Sequence, residues 1–462
     1  MAGAVDLNDL DMWALGVPYA EFARLRREAP VAWCEEPSPN SGFWSVHRYA
    51  DIVTASRDVA TFSSARGISF EEPTDADMAA RRTIIDTDPP DHAKLRKIVS
   101  GSFSQRAVAV YQHFVEGLTE QVLDAGLADG EFDFVDAIAK EVPIRVLARI
   151  MGLPDADLDQ FIDLGDRLIA NTDPDVTDVV WGRDDTDAFR RFPFRSPYGK
   201  QLWDLGRQVV RDRLRAPGDD LLSTLLRAEV DGDRLSEVDL DNFFSILVVA
   251  GNETTRIAIA QGILAFIEHP EQWERLRADP GLLATAADEV LRWTCPTHFM
   301  RRTATADAEL GGAAVRAGDK VVLWYVSGNR DETEFAGPDV FDIGRAPNRH
   351  LSFGRGGPHL CLGVHLARLE VRVVLGALAR RVERFELAGQ PRRIRSNFTN
   401  GLRELPVRAQ LAPSSPAQRS AAPPAAASPS PTPPSPTPPA AVSPAAASPS
   451  PAPSSLREGG AA

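Results

Sequence analysis

The stretch from Asp241 to Pro270, DNFFSILVVAGNETTRIAIAQGILAFIEHP, is apolar on nearly every face of a helix. A helix without a polar face must be surrounded by other parts of the protein, so the rest of the chain has to pack around it. Its middle reads GNETT, and a carboxylate and two hydroxyls are costly to bury unless they are hydrogen-bonded or functional. We therefore predict a long central helix with a polar segment at its midpoint.

That polar segment combines an acid, Glu253, with an alcohol, Thr254. Next to a cavity such a pair can deliver protons to a reaction. Gly251 would let another group lie against the helix backbone, and the Thr254 hydroxyl can divert a backbone carbonyl or hold a water molecule. The alternative is a buried capping network at a helix bend. Of the two interpretations, the sequence favours the functional one.

A second feature is the loop HLSFGRGGPHLCLGVHLAR, from His350 to Arg368, in which three glycines precede Cys361 and a helical pattern follows it. The first N–H groups of a helix have no internal partner, and the helix dipole is positive at that end. A cysteine placed there should have a lowered thiol pKa and favour the thiolate, which is a nucleophile or a metal ligand. Taken alone, Cys361 is more simply interpreted as a small buried hydrophobe.

The composition of the chain argues against several classes of function. The net charge of −14 and the absence of a concentrated basic run argue against binding to nucleic acid or to an anionic membrane surface. Cys34, Cys295 and Cys361 have no paired spacing, so neither a disulfide framework nor a zinc cluster is expected. The amino terminus is acidic where a signal peptide needs basic residues, and no window approaches the roughly 20 apolar residues of a membrane span. We expect a cytoplasmic protein without a membrane anchor.

Several other elements can be placed from the pattern. Glu21 to Glu28 is predicted to be a helix, Phe43 to Val46 a short strand, and a further helix should begin at Tyr49. The apolar run VVLWYV from Val321 predicts another strand. Small β elements should therefore pack beside a largely helical body.

The segment DPPDHAKLRKIVSGSF predicts a helix that follows two prolines and is capped by Asp91. His92 and Arg96 are four residues apart and share one face of this helix. Such a pair would suit a bound anion with two separated carboxylates. An exposed polar face is the alternative, and this segment alone favours that alternative.

Residues 107–227 are predicted to be mostly helical, with breaks at Gly and Pro. The less regular stretch 171–200 is either a lid over a ligand or a solvated connection. From residue 412 the chain becomes rich in Pro, Ala and Ser, which predicts a disordered, partly polyproline tail at 412–462. We expect a passive tail, and a proline-rich tether or recognition segment is the alternative.

The segment AADEVLRW places Glu289 and Arg292 three residues apart on a helix, where they can form an ion pair. Arg345, in the irregular connection before the cysteine loop, could join them in a buried triad. Taken alone, the pair is typical of a helix surface.

Five motifs occur in order: HAKLR, AGNETT, EVLR, FAGPDVFDIGR and FGRGGPHLCLG. Each is weak alone, but together they resemble the cytochrome P-450 superfamily over about Leu15 to Gln410. The resemblance implies a mainly α fold with small β-sheets (α+β), forming one heme domain at 1–411. Its heme should lie between the long central helix and the helix that follows the cysteine loop.

The same resemblance implies the roles of individual residues. Cys361 would be the thiolate ligand of a b-type heme iron, where its electron donation favours O–O cleavage. Glu253 and Thr254 would guide protons during dioxygen activation. Two further groups follow from the motif positions. Heme propionates would bind to His92, Arg96, Arg302 and His359, and a structural triad would consist of Glu289, Arg292 and Arg345.

The cysteine loop departs from the common bacterial pattern, because Phe353 lies eight residues before Cys361 rather than seven. This longer form, with AGNETTR and AFIEHPEQW, resembles the branch that hydroxylates steroid side chains, methyl-branched lipids and terpenoid alcohols. The similarity implies an apolar substrate. The residues implied to line its pocket are Val249, Ala250, Thr297, His298, Phe299 and Leu402.

The resemblance also implies partners. The chain contains no reductase motif, so electrons should come from NAD(P)H through a ferredoxin reductase and a small iron-sulfur ferredoxin that docks near Arg355. A monomer is expected. Two other interpretations remain open. A peroxide-driven heme-thiolate enzyme would not need the acid-alcohol pair, and a heme protein that binds a ligand without oxidising it would have no evident use for AGNETT.

Overall fold

The structure is a computed structural model, and it describes residues 6–36, 40–154, 157–230 and 233–413. Apart from Ala412 and Pro413, the tail predicted at 412–462 lies outside the described residues.

Helices form most of the ordered body. In chain order the α-helices of the described residues are α1 (Leu10–Leu15), α2 (Tyr19–Glu28), α3 (Tyr49–Arg57), α4 (Asp75–Arg81), α5 (Asp91–Val99), α6 (Gln105–Ala109), α7 (Gln112–Gly126), α8 (Glu141–Met151), α9 (Leu158–Ile169), α10 (Pro197–Arg215), α11 (Leu221–Arg227), α12 (Glu237–Glu268), α13 (Pro270–Ala278), α14 (Leu283–Thr294), α15 (Tyr325–Gly328) and α16 (Val364–Arg381). Shorter helical turns are Ile84–Asp86, Val135–Ala139, Asp187–Phe189, Pro193–Arg195 and Pro280–Leu282.

The strands are short and belong to several small sheets. They are β1 (Val31–Cys34), β2 (Phe43–Val46), β3 (Phe62–Ser63), β4 (Glu131–Asp133), β5 (Glu229–Val230), β6 (Asp233–Arg234), β7 (Phe299–Ala304), β8 (Ala308–Leu310), β9 (Ala313–Val315), β10 (Lys320–Trp324), β11 (Val382–Leu387), β12 (Arg392–Arg393), β13 (Leu402–Glu404) and β14 (Pro406–Leu411). The largest sheet has the order β1-β2-β10-β7-β3, in which only β2 and β10 run parallel. A second sheet has the order β11-β14-β4.

The predicted central helix is confirmed as α12, which has 32 residues. Ser236 caps its start, because the Ser236 hydroxyl accepts from the Asp239 N–H and the Asp239 side chain accepts from the Ser236 N–H. Helices α8, α9, α10, α14 and α16 pack around it. Among the described residues α12 alone is long and apolar enough to cross a membrane, yet 72% of its most apolar window is buried inside the protein. Its apolar faces are covered by neighbouring helices.

Two hydrophobic clusters form the core. The larger lies among the helices around α12, and the smaller joins the five-stranded sheet to α1, α2 and α3. Trp324 at the end of β10 is fully buried in the smaller cluster, where its ring stacks on Trp13 with the ring centroids 5.4 Å apart. The site described below lies where α12, β7 and the cysteine loop meet.

Most local predictions are confirmed, with two differences at helix starts. The predicted helix of α2, the strand β2 and the start of α3 at Tyr49 are all present. Asp91, by contrast, is the first residue of α5, and its predecessor Pro90 occupies the cap position without a side-chain hydrogen bond. The helix after Cys361 begins at Val364, because Gly363 occupies its N-cap.

Candidate active site

The cysteine loop folds back so that the Cys361 N–H donates to the Phe353 carbonyl at 2.8 Å. Gly354 and Gly356 have φ values of +69° and +90°, a region that glycine adopts without steric cost. A side chain at Gly357 would overlap the Ser56 carbonyl at the end of α3. These glycines allow the loop to turn tightly and lie directly against α3.

The Cys361 side chain is accessible from the cavity in front of the loop. The prediction of a lowered thiol pKa is not confirmed, because burial raises the pKa of Cys361. The Gly363 N–H and the nearby Arg96 guanidinium lower this pKa but do not offset burial. The loop therefore supplies donors to the sulfur, and a bound metal ion would be the stronger stabiliser of its thiolate.

Four basic or imidazole side chains line the same cavity as Cys361, and they come from three separate parts of the chain. His92 and Arg96 project from α5, Arg302 from β7 and His359 from the loop itself. The rings of His92 and His359 lie 4.4 Å apart between centroids. Burial lowers the pKa of His92, and burial together with the positive charge of Arg302 lowers the pKa of His359 to about 3. Both imidazoles are therefore neutral hydrogen-bond donors near neutral pH.

These groups fit the carboxylates and the iron of a heme. The Arg302 Nε is buried without a hydrogen-bond partner, which is costly for a charged donor unless an acceptor arrives. Two guanidinium groups and two imidazoles suit a pair of carboxylates, and a cysteine sulfur suits iron. The structure thus brings together the five residues that the resemblance assigned to heme binding.

On the opposite side of the cavity lies the middle of α12. Gly251 and Thr254 both line the cavity. The Thr254 hydroxyl donates to the Ala250 carbonyl at 2.8 Å, as a threonine inside a helix can. A side chain at Gly251 would meet Leu147 of α8 at 3.2 Å, so this glycine also permits close packing of the two helices.

Glu253, the acid of the same motif, does not face the cavity. It is not among the cavity-lining residues, and its carboxylate is buried in an ion pair with Arg256 on the same helix. Arg256 also pairs with Asp166 of α9 at 2.6 Å. Burial raises the pKa of Glu253, while Arg256 lowers it. The acid and the alcohol predicted to work together therefore have different surroundings.

Of the six residues predicted to line the substrate pocket, Val249, Ala250 and Thr297 do line the cavity. The other three, His298, Phe299 and Leu402, do not line the cavity. The His298 ring packs on Trp13 at 4.5 Å, and its Nδ1 lies 3.0 Å from the Asn397 carbonyl.

Strand geometry explains why Phe299 faces away. Side chains alternate along β7, and Met300 and Arg302 line the cavity, so Phe299 points to the other side. There the Phe299 ring packs against Trp324 with the ring centroids 5.0 Å apart. Leu402 of β13 is buried in the larger hydrophobic cluster.

Other lining residues were missed by motif matching, because they lie outside the matched motifs. Those on the substrate side are Ile68, Ile84, Ile85, Ile169, Phe194, Phe243, Ile246, Leu247, Pro296, Met300, Phe398 and Thr399. Apolar residues in irregular connections were the available signal, as at Ile84 and Ile85. Glu370 of α16 also lines the cavity; burial raises its pKa well above the usual value, and its Oε2 has no partner.

The predicted triad is present and fully buried at its centre. Glu289 and Arg292 form two hydrogen bonds of 2.8 Å each, and the Arg345 Nε lies 3.1 Å from Glu289 Oε2. Arg292 donates to the Asn329 carbonyl at 2.8 Å, and the Asn329 Oδ1 accepts from the Leu351 N–H at 2.6 Å. Through Asn329 the triad is connected to the residues that enter the cysteine loop.

Two segments that cover the cavity are joined by ion pairs. Phe194 lines the cavity from the predicted lid, and its neighbour Arg195 lies 3.8 Å from the Glu71 carboxylate, which also pairs with Arg81 at 2.6 Å. Arg190, in the same segment, pairs with the buried Asp77 of α4 at 3.1 Å. We call Glu71, Asp77, Arg190 and Arg195 the latch. Phe194 and Arg195 have φ values of +55° and +49°, which are uncommon for residues other than glycine.

Comparison with known proteins identifies the class of protein to which this site belongs. The cytochrome P-450 family model matches residues 281–411. A methyl-branched lipid omega-hydroxylase from Mycobacterium bovis is 39% identical over 87% of this chain and 94% of its own length. A steroid C26-monooxygenase from Rhodococcus jostii is 35% identical over 87% of this chain and 84% of its own length.

A solved structure has the same fold. The Mycobacterium marinum cytochrome P-450 in complex with pseudoionone superposes with a TM-score of 0.77 and 38% identity, covering 84% of this chain and 94% of that one. The chain therefore belongs to the cytochrome P-450 family and is a heme-dependent monooxygenase. The predicted fold and the predicted branch are both confirmed.

Proposed function

We propose that this cytochrome P-450 hydroxylates an apolar, branched or isoprenoid substrate at an accessible carbon. The observation that carries the proposal is the lining of the cavity facing Cys361, where the walls away from the heme-binding residues consist mainly of aliphatic and aromatic side chains. Apolar surface transferred from water into such a cavity contributes roughly 25 cal/mol per Å². Shape and burial are thus the main determinants of binding.

The names of the relatives support this substrate class. The Mycobacterium bovis relative is named for methyl-branched lipids and the Rhodococcus relative for steroids, and the Mycobacterium marinum structure contains pseudoionone. All three compounds or classes are largely hydrocarbon. The same class of substrate is proposed for this chain.

A b-type heme would be held by Cys361 at the iron and by His92, Arg96, Arg302 and His359 at the propionates. Bound there, the heme supplies dioxygen activation, and the thiolate ligand favours O–O cleavage. The glycine turns bring the sulfur to the cavity, and the neutral imidazoles and guanidinium groups orient the two carboxylates.

Thr254 is the residue that would hold a proton or a water molecule at the reacting position. Its hydroxyl lies on the cavity side of α12 and is already oriented by the Ala250 carbonyl. Glu253 would act at a distance, as a buried acid whose availability depends on its pairing with Arg256. A general acid-base contribution of this kind is typically 10²–10⁴-fold.

Electrons would come from NAD(P)H through a ferredoxin reductase and an iron-sulfur ferredoxin, with the chain acting as a cytoplasmic monomer. Arg355 is exposed in the cysteine loop, close to the sulfur in sequence, and offers a positive charge to an acidic partner. Arg57 at the end of α3 and Arg372 on α16 are exposed as well.

The docking proposal is tested by charge reversal. Arg355→Glu should slow reduction by ferredoxin about tenfold at low salt, with a smaller difference at high salt. Arg215→Glu at the end of α10 is the control, because its exposed side chain pairs at the surface with Asp212. Unchanged salt-dependent reduction kinetics of Arg355→Glu would place the docking surface elsewhere.

The substrate proposal is tested with purified, heme-loaded protein. A panel of steroids, terpenoids and methyl-branched lipids is scored by the low-spin to high-spin shift and then by product formation with ferredoxin, reductase and NADPH. Product with peroxide alone, at an equal or higher rate, would favour the peroxide-driven alternative. Binding without product under either condition would favour the non-oxidising alternative.

The iron ligand has its own test. Cys361→Ser should abolish the red-shifted Soret band of the reduced carbon monoxide complex, because that shift requires a thiolate ligand. Cys295→Ser is the matched control, since Cys295 is buried and its Sγ lies 3.3 Å from the Thr297 carbonyl, outside the cavity lining. Retention of the band in Cys361→Ser would overturn the ligand assignment.

A further inference from the structure

Charged side chains in the cavity are confined to one side. Among the described lining residues they belong to the heme-binding cluster or, in the case of Glu370, to α16, the helix that follows Cys361. The substrate side carries no charged group within the described ranges. A substrate carboxylate placed there would be buried without a partner, which is strongly unfavourable.

Two threonines outside α12 provide polarity in the cavity wall. Thr297 and Thr399 form an isolated antiparallel β-bridge, and both line the cavity. Residues paired in this way have Cβ atoms about 4.5–5.5 Å apart and side chains on the same face. Their side chains therefore lie next to each other in the cavity wall.

The hydroxyl groups of this pair are not used by the protein. The Thr399 Oγ1 is buried without a hydrogen-bond partner. The Thr297 side chain makes no hydrogen bond within the described part of the chain, although its backbone carbonyl accepts from Cys295. Thr254 differs, since its hydroxyl donates to Ala250. A buried hydroxyl without a partner is unfavourable, and a ligand oxygen at this place would remove the penalty.

We propose that Thr297 and Thr399 are specificity-determining residues that hydrogen bond one neutral oxygen function, an alcohol or a ketone, on an otherwise hydrocarbon substrate. This inference rests on the proposed function and narrows its substrate class. The anchored oxygen holds one end of the molecule at the Thr297–Thr399 wall. The hydrocarbon part then packs against the apolar walls of the same cavity.

The experiment uses the heme-loaded full chain and three ligands that share one branched skeleton: tetrahydrogeraniol, the corresponding alkane and the corresponding carboxylic acid. Dissociation constants are measured by isothermal titration calorimetry, which requires no spectral change. The variants are Thr297→Val, Thr399→Val and the double variant, which remove the hydroxyls and keep the shape. Thr297→Ser retains a hydroxyl, and Thr255→Val is the control for a cavity threonine on α12.

The wild-type protein should bind the alcohol on the order of tenfold more tightly than the alkane, with the acid weakest. The double variant should lose most of this preference and bind the alkane within about twofold of wild type. Thr297→Ser and Thr255→Val should keep the preference. The proposal is overturned if the wild type does not prefer the alcohol, or if the valine variants weaken alcohol and alkane equally.

Failure of the proposed function would look different. A protein that keeps the threonine-dependent preference for the alcohol but forms no product with ferredoxin or peroxide would contradict the proposed hydroxylation. It would still support the hydrogen bonds from Thr297 and Thr399. Conversely, the double variant could form product from all neutral ligands and bind them with unaltered dissociation constants. That result would contradict only the proposed role of Thr297 and Thr399.

Discussion

The Glu253 carboxylate pairs with the Arg256 guanidinium one turn further along α12, while Thr254 between them faces the cavity. The acid of the AGNETT motif is thus fixed in a buried network that continues through Arg256 to Asp166. Proton delivery from Glu253 would require this pairing to loosen. The ion pair would therefore control whether Glu253 is available for the proton delivery proposed above.

The first prediction concerns the energy of this network. Glu253→Gln should change the free energy of unfolding by about 1 kcal/mol or less, because Arg256 keeps Asp166 and a neutral acceptor. Arg256→Gln should cost about 3 kcal/mol, because it leaves two carboxylates without their partner. Urea unfolding of both variants at neutral pH measures the difference. Equal costs for the two substitutions would show that Arg256 is not the centre of the network.

The second prediction concerns Thr254. Thr254→Val keeps the shape of the side chain but removes the hydroxyl that faces the cavity, so electron consumption should continue while product formation falls. The ratio of product formed to NADPH consumed should decrease about tenfold or more. Thr255→Val, one residue further along, is the matched control and should change this ratio much less. An unchanged ratio in Thr254→Val would show that this hydroxyl does not take part in proton delivery.

The third prediction concerns the latch. Glu71 and Arg195 have side chains that are 12% and 14% exposed, so their attraction is only partly screened by solvent. Glu71→Gln should weaken the attachment of the predicted lid and speed the entry of substrate several-fold. Stopped-flow recording of the spin shift at low and high salt measures this rate, and the variant should show less salt dependence than the wild type.

A surface pair provides the control for the latch. Asp187 pairs with Arg195 at 2.6 Å but is 71% exposed, so Asp187→Asn should have little effect on the entry rate. Similar acceleration by both substitutions would indicate general loosening of the lid rather than a specific role of Glu71.

Much of the site was predictable because its chemistry is carried by short local patterns. The glycines before Cys361 require a tight turn, and His92 and Arg96 share a helix face whatever the rest of the fold does. The flanks of α12 are apolar on nearly every face, so this helix had to be buried at the centre of the fold. The triad of Glu289, Arg292 and Arg345 followed from the resemblance and is present in the structure.

Other features depend on tertiary contacts that no local pattern specifies. The pairing of Glu253 with Arg256 rather than with the cavity depends on Asp166 from another helix. Thr297 and Thr399 are neighbours only because two distant segments form a bridge. His298 was assigned to the pocket by position in the family pattern, but the packing of Trp13 against its ring places it behind the cavity wall.

The last prediction tests that placement of His298 through pH. Burial lowers the pKa of His298 from its usual 6.5 to about 3, so the folded protein keeps the ring neutral while the unfolded chain becomes protonated below about pH 6.5. Stability should therefore fall as pH decreases from 6.5 toward 3, by up to about 1.4 kcal/mol per pH unit from this group. His298→Asn should lower stability at neutral pH by about 1 kcal/mol through loss of the ring packing against Trp13, yet show a shallower acid slope. Urea unfolding midpoints between pH 7 and pH 4 measure both effects, with His113→Asn on the exposed surface as the control. An unchanged dependence of stability on pH, or a large change in substrate affinity at neutral pH, would contradict the position of His298 behind the cavity wall.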